Sequence, residues 1–226
     1  MKYKNVFKGT FISRPNRFVA YVEICGKTEI CHVKNTGRCK EILTPGATVY
    51  VEKSDNPERK TKYDVIAVYK GEELINIDSQ APNKVFGEWV NKSDFFDNVT
   101  FVKPECKYKN SRFDYYLEAD GNKIFVEVKG VTLEVDGIVK FPDAPTQRGV
   151  KHINELADCV KNGYDAYIFF VIQMKNCKYF TPNTDTHPEF ADALKSAKNQ
   201  GVKVVALNCN VLPDTFDIDS FVKVEI

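Results

Sequence analysis

No stretch of 18 consecutive apolar residues occurs in this 226-residue sequence, and its first residues, M-K-Y-K-N-V-F-K-G, contain no continuous apolar core. Because such stretches mark membrane-spanning helices and secretory signals, we expect a cytoplasmic protein that makes no membrane contact. The sequence also lacks G-x-G-x-x-G and G-x-x-x-x-G-K-S/T, the glycine-rich motifs that bind dinucleotides and nucleoside triphosphates. The sequence therefore signals no organic cofactor.

The cysteines include no C-x-x-C pair, and their number, seven, is odd. Scattered cysteines of this kind are typical of reduced thiols in a cytoplasmic protein. Cys25, Cys31, His32 and Cys39 lie close together in the sequence, but their spacing fits no common zinc finger or ribbon. We therefore disfavour a structural zinc site.

The excess of one charge sign over the other is also small, since the net charge is only +1. Lys and Arg exceed Asp and Glu by 4 in residues 1–80, whereas Asp and Glu exceed them by 3 in residues 81–226. A basic front half beside an acidic back half suits a protein that grips nucleic acid next to a metal site. Excesses this small also arise by chance.

Residues 1–80 contain short β-rich runs separated by turn signals and no convincing helical pattern. The predicted strands cover residues 18–25, 28–33, 47–53, 63–69 and 74–77. About five strands without a helix favour a small closed barrel of the OB type, which commonly binds single-stranded nucleic acid or oligosaccharide along one face.

Polar loops interrupt these strands and supply the candidate nucleic-acid contacts. Arg14, Arg17 and Arg38 are the preferred candidates, because a guanidinium offers a planar fork of donors that matches a phosphate. Asn35 joins them, within a predicted tight turn Asn35-Thr36-Gly37. The alternative is that charged loop residues simply face solvent, or that the barrel binds an oligosaccharide.

The most informative stretch runs from residue 111 to residue 132, where two β-rich segments flank Asp120-Gly121. Asp-Gly suits a two-residue type I′ hairpin turn, because both of its positions need a positive φ. The resulting register places Asp114 opposite Glu127, with their Cβ atoms about 5 Å apart, where two like charges repel each other. A divalent cation would convert this repulsion into binding.

Lys129 lies two residues beyond Glu127, so its side chain points to the same face of the strand. Asp, Glu and Lys on one face match the spacing of the P-D…(D/E)-x-K nucleases, with Phe113 where Pro is usual. Mg²⁺ or Mn²⁺ at Asp114 and Glu127 would activate the phosphate, and Lys129 would orient water. The alternative is an ordinary solvated face of a strand.

Residues 81–226 alternate between strand and helix signals, which predicts a mixed sheet with flanking helices. Predicted helices cover residues 81–92, 146–162 and 185–200, and predicted strands lie at 99–102, 166–174 and 202–207. On one face of the second helix we expect Arg148 to neutralise a phosphate, and Lys151 and His152 to contact nucleic acid. Gln173, at the end of a buried strand, is a further candidate catalytic residue; the alternative is a residue that forms hydrogen bonds at the edge of the sheet.

Several motifs, in this order, resemble the sugar fermentation stimulation protein A family across almost the full length. The matching segments are H-x-x-N-T-G-R from His32, Pro45-Gly46, N-S-R-F-D ending at Asp114, Glu127-Val128-Lys129 and F-P-D-A-P-T-x-R-G-x-K-H ending at His152. The resemblance implies an α/β (α+β) protein with an N-terminal OB-like domain, residues 1–80, and a C-terminal restriction-endonuclease-like domain, residues 81–226. It also implies DNA binding and a triad of Asp114, Glu127 and Lys129.

We therefore expect a DNA-binding protein with a Mg²⁺- or Mn²⁺-dependent phosphodiesterase centre, with DNA favoured over RNA. The alternative is a regulator, linked to sugar-utilisation genes, that binds DNA or RNA without cutting it. The oligomeric state stays open, although many nucleases of this class act as homodimers.

Overall fold

The computed structural model describes residues 1–35 and 37–226; Thr36, the centre of the predicted Asn35-Thr36-Gly37 turn, lies outside the described residues. The first six strands are β1 (Val6–Asn16), β2 (Val19–Ile24), β3 (Lys27–Val33), β4 (Thr48–Lys53), β5 (Tyr63–Lys70) and β6 (Glu73–Asn76). The remaining elements are α1 (Ala81–Val90), β7 (Val99–Tyr108), β8 (Ser111–Ala119), β9 (Asn122–Val131), β10 (Leu133–Val135), β11 (Ile138–Phe141), α2 (Gln147–Lys161), β12 (Asp165–Ile172), β13 (Tyr179–Pro182), α3 (Pro188–Asn199), β14 (Lys203–Leu212) and β15 (Thr215–Val222).

The N-terminal strands form a closed barrel. They pair in the order β3-β2-β1-β4-β5-β6, and a parallel pairing of β3 with β5 closes the sheet on itself. Alternation along β2 places Ala20, Val22 and Ile24 inside the barrel. The predicted OB-type barrel is therefore confirmed, with one strand, β1, that the sequence pattern did not reveal.

The C-terminal half is built on a six-stranded mixed sheet with the order β15-β14-β12-β9-β8-β7. Strand β12 runs parallel to both β9 and β14, and residues 166–172 are all buried, as expected for a central strand covered on both faces. Phe170 packs in the core shared with α2 and α3, whereas Phe169 packs in the core shared with α1. Helices therefore cover both faces of the sheet, as predicted.

The hairpin of β8 and β9 turns at Asp120 and Gly121, whose φ angles are 49° and 76°. Its register pairs Glu118 with Lys123 and Tyr116 with Phe125, as predicted. The described ladder begins at Tyr115↔Val126, so Asp114 and Glu127 are not a ladder pair. The Asp114 carboxylate accepts a hydrogen bond from the Val128 amide instead.

The two halves are joined by buried hydrogen bonds between the end of β6 and the end of β12. The Asn76 backbone amide donates to the Gln173 backbone carbonyl oxygen at 2.9 Å. The Lys70 ammonium pairs with Glu134, 2.5 Å from its carboxylate. These contacts fix the barrel next to the hairpin.

None of the helices in residues 1–35 and 37–226 is long and apolar enough to cross a membrane.

Candidate metal centre and nucleic-acid interface

Asp114, near the start of β8, is held by two donors. The Asn83 side-chain amide of α1 donates to Oδ1 at 2.8 Å, and the Val128 backbone amide donates to Oδ2 at 2.8 Å. Each carboxylate oxygen has further lone pairs to offer a ligand. The carboxylate is therefore fixed in orientation.

Glu127 lies on β9 and is only 2% exposed. Its Oε1 atom accepts hydrogen bonds from the Lys129 ammonium and from the His152 imidazole, whose Nδ1 lies 2.5 Å away. Its Oε2 atom is buried and has no hydrogen-bond partner among the residues described. One oxygen is thus anchored, whereas the other is left as a buried acceptor without a donor, an arrangement that costs free energy unless a ligand satisfies it.

The two carboxylates differ in their electrostatic surroundings. Burial raises the pKa of Asp114, and the charge of Glu127 raises it further. Burial also favours the neutral form of Glu127, but the hydrogen bond from His152 and the charge of Lys129 outweigh it and lower the pKa of that carboxyl. The repulsion that Asp114 experiences from Glu127 is one that a bound cation would relieve.

Two carboxylates and an unsatisfied oxygen fit a hard divalent cation. In the part of the chain that the structure describes, no three His, Cys, Asp or Glu side chains form a complete metal-binding group. Mg²⁺ does not need one, because it commonly binds one or two carboxylates and keeps several waters. The donor set of Asp114 and Glu127 is therefore suited to Mg²⁺ or Mn²⁺ rather than to zinc.

His152 does not lie where we predicted. It was expected to contact nucleic acid, but it is 5% exposed and faces Glu127 across the gap between α2 and β9. Arg148 Nε lies 3.4 Å from His152 Nε2, and because guanidinium only donates, Nε2 accepts and Nδ1 donates to Glu127. His152 therefore orients the Glu127 carboxylate. The exposed Arg148 side chain in turn donates to His152.

Gln173, a predicted catalytic residue, lies at the junction of the two halves. The two N–H groups of its side-chain amide are shared among three acceptors, the Asn76 carbonyl at 3.0 Å, the Asn76 side-chain oxygen at 2.9 Å and the Asp78 carbonyl at 3.1 Å. The side-chain nitrogen of Gln173 therefore joins the two halves of the molecule, whereas its Oε1 atom lies next to Gly130, the residue after Lys129.

On the barrel, two of the predicted contact residues brace a loop. The Arg14 guanidinium donates to four backbone carbonyls, those of Arg17, Asn35, Gly37 and Arg38, at 2.5 to 3.3 Å. The Asn35 side chain donates to the Ile77 carbonyl and accepts from the Gly37 amide. Arg14 and Asn35 therefore shape the surface, in contrast to the direct contacts we predicted.

Arg17, Arg38 and Lys151 are exposed and available to a ligand. The Arg17 guanidinium lies 4.9 Å from the ring centre of Phe18, which is 44% exposed. The backbone amide of Arg38 donates to Asp143 at 3.1 Å, which ties this loop to the C-terminal half and leaves the side chain free of that contact.

The sequence did not predict Asn83, the side-chain donor to Asp114. No local signal marks it, because Asn83 lies 31 residues before Asp114 in the sequence and only the packing of α1 against β9 brings the two together.

Two family models match the chain over separate ranges. The SfsA N-terminal OB domain matches residues 12–77, and the sugar fermentation stimulation protein RE domain matches residues 80–215. The chain belongs to the sugar fermentation stimulation protein family. The family homolog from Clostridium beijerinckii is 62% identical over 224 residues, with 99% of both chains covered, and that from Ruminiclostridium cellulolyticum is 60% identical over 226 residues, with 100% of both covered.

Among solved structures, the Pyrococcus furiosus SfsA in complex with Ca²⁺ matches with a TM-score of 0.87 and 29% identity. The match covers 100% of this chain and 98% of that one. The resemblance and the two-part fold, an OB barrel followed by a mixed sheet, are therefore confirmed for this member of the family.

Proposed function

We propose that this protein binds DNA and hydrolyses phosphodiester bonds with a divalent cation held by Asp114 and Glu127. One observation carries the proposal: Glu127 Oε2 is buried without a hydrogen-bond partner in the described residues, beside a second carboxylate and on the same strand face as Lys129. A cation at this position would satisfy that oxygen and relieve the repulsion between the two carboxylates.

Mg²⁺ or Mn²⁺ is the proposed cation. The Pyrococcus furiosus relative was solved in complex with Ca²⁺, which prefers the same oxygen ligands and supports a hard divalent cation here. When bound, such a cation polarises a phosphate and stabilises the oxyanion that leaves.

The chain's own residues supply the remaining chemistry. Lys129, with 18% of its side chain exposed, would leave Glu127 Oε1 to hold the attacking water in line with the phosphate. Arg148, exposed at the start of α2, would offset negative charge on the phosphoryl oxygens. His152 would hold Glu127 Oε1 throughout, so that Oε2 stays directed at the cation.

Incubation of the purified protein with labelled single- and double-stranded DNA and RNA, in Mg²⁺ or Mn²⁺, tests the proposal. We expect the wild type to cleave and Lys129→Ala to reduce the rate at least a hundredfold. Lys123→Ala, a matched change at the exposed end of the same strand, is expected to cleave as the wild type does. Absence of cleavage under all these conditions would contradict the proposal.

A second candidate is a regulator that binds DNA or RNA and cuts neither. The ion pair between Lys129 and Glu127 favours it, because the pair partly neutralises the buried carboxylate with no metal bound. Binding that is unchanged by Mg²⁺ and falls steeply with salt, together with no cleavage, would support this candidate. The family's name is compatible with such a role at sugar-utilisation genes.

A further inference from the structure

A pocket of about 550 Å³ opens on the barrel between β1 and the loop that leads into β4. Its floor is apolar: Phe11, Cys39 and Leu43 are 2%, 1% and 6% exposed. Its rim carries three exposed cations, Arg17, Arg38 and Lys40. An apolar floor inside a cationic rim suits a ligand that is flat and uncharged at its centre and anionic at its edge.

A nucleotide has this form, since the faces of the base are apolar and the phosphate is anionic. The volume lies within the range of pockets that bury a small ligand. Next to the rim, the Arg17 guanidinium lies over the exposed Phe18 ring, and this stacked pair offers a second surface on which a base can stack. Stacking of bases on aromatic rings, with cations along the backbone, is how single strands are bound without sequence preference.

Double-stranded nucleic acid cannot use such a floor. In a duplex the base faces are stacked on one another, and only the base edges and phosphates are accessible from the grooves. The buried apolar residues beneath the pocket would then gain no contact, and only the rim cations would contribute.

The pocket adjoins a second cavity. This cavity, of about 140 Å³, lies between the two halves of the molecule, and Gly37 lines both cavities. Its lining also includes Gly130, which directly follows Lys129 in the sequence. A Cβ atom at position 37 would lie 2.5 Å from Asp143 Oδ2, so only a bare backbone fits at the junction.

We infer that the barrel pocket binds single-stranded nucleic acid and presents the strand to the Asp114–Glu127 site. The inference rests on the proposed function for the second part, since it names the substrate class on which that site acts. The first part, binding of a single strand in the pocket, requires neither metal nor cleavage.

The test measures fluorescence anisotropy of a labelled 12-nucleotide DNA or RNA strand, and of the duplex of the same sequence, with the full chain in EDTA. We expect the strand to bind at least tenfold more tightly than the duplex. The double variant Arg38→Gln/Lys40→Gln should weaken strand binding about tenfold and lower the salt slope by about 0.7 for each phosphate that the variant no longer neutralises. The charge-matched control Lys8→Gln/Lys27→Gln, at exposed positions near the start of β1 and at the start of β3, should bind within twofold of the wild type.

Equal or tighter duplex binding would overturn the inference, as would displacement of the strand by a neutral oligosaccharide. Equal weakening in the pocket and control variants would also overturn it, because binding would then follow total charge. A protein that binds strands in this way but cleaves nothing would reject the proposed hydrolysis and keep the pocket assignment.

Discussion

His152 Nδ1 and Glu127 Oε1 lie 2.5 Å apart, and both side chains are almost entirely buried. This contact crosses from α2 to β9 and fixes one oxygen of the carboxylate that we assign to a divalent cation. Residues that orient a metal ligand in this way typically change metal affinity 10- to 100-fold when they are removed.

We therefore predict that His152→Ala weakens Mn²⁺ binding by about 10- to 100-fold in a calorimetric titration. His152→Asn, whose amide can donate at the place of Nδ1, should recover most of the affinity. Lys151→Ala, an exposed neighbour on α2, serves as the control and should bind Mn²⁺ as the wild type does. Equal affinities for His152→Ala and the wild type would remove His152 from the metal centre.

The surroundings of Asp64 lead us to predict that the stability of the barrel depends on pH. It is 3% exposed and accepts a bidentate pair from Arg59 at 2.8 and 2.6 Å, with Lys34 at 3.2 Å. Burial alone would raise its pKa, but Arg59 and Lys34 outweigh burial and lower the pKa from 3.8 to about 2. Because the folded pKa is depressed, this stabilisation is complete above pH 3.8 and disappears as pH falls towards 2.

The expected contribution is about 2 kcal/mol at pH 7. Asp64→Asn should lower the free energy of unfolding by about that amount in urea at pH 7 and by progressively less below pH 4. Glu72→Gln, at an exposed carboxylate of the same half, should change it by less than about 0.5 kcal/mol. An Asp64→Asn deficit that stays constant down to about pH 2.5 would contradict this assignment.

Gly130 is predicted to tolerate no side chain. A Cβ atom there would lie 2.5 Å from Gln173 Oε1 and 2.7 Å from Pro82 Cγ. We expect Gly130→Ala to destabilise the protein by about 1–3 kcal/mol in urea unfolding, because its neighbours must move. The same change in a Gln173→Ala background should cost less, and an unchanged cost would assign the clash to Pro82 alone.

Gln173→Leu tests the role of the interface between the two halves. The substitution removes the amide that donates to the Asn76 carbonyl and the Asp78 carbonyl, and it leaves the Asn76 side-chain oxygen with the Asp78 backbone amide alone. We expect the unfolding free energy to fall by about 1–3 kcal/mol. Gln80→Leu, at an exposed position whose side chain caps no helix, is the matched control. If both variants are destabilised equally, the buried amide contributes nothing specific.

Elements with a clear local pattern, such as a turn dipeptide or a regular apolar alternation, were predicted correctly. Asp120-Gly121 fixed the register of the central hairpin because its turn chemistry permits few alternatives. Strand β1 escaped detection because Phe7 and Ile12 are exposed and a register shift between Phe11 and Ser13 interrupts its alternation. Strand β15 was missed for a similar reason, since only Phe216 on it is buried.

The candidate site was predictable in part. Asp114, Glu127 and Lys129 share one hairpin, so a local register brings them together. His152 shares a helix face with Arg148 and Lys151, and spacing alone cannot tell that the imidazole turns inward to β9 while its neighbours stay exposed. Gln173 is similar, because its three acceptors lie 95 to 97 residues earlier in the chain.

The Arg14 guanidinium donates hydrogen bonds to four backbone carbonyls beside the barrel pocket. Arg14 also lines the pocket, so its wall includes a cation. The four acceptors are backbone carbonyls, so acid that protonates Asp64 leaves these hydrogen bonds in place. A lysine could not replace Arg14, since an ammonium has three donors for four acceptors. The shape of the pocket is therefore set by hydrogen bonds to backbone carbonyls, whereas the stability of the barrel beneath it depends on a carboxylate that acid can neutralise.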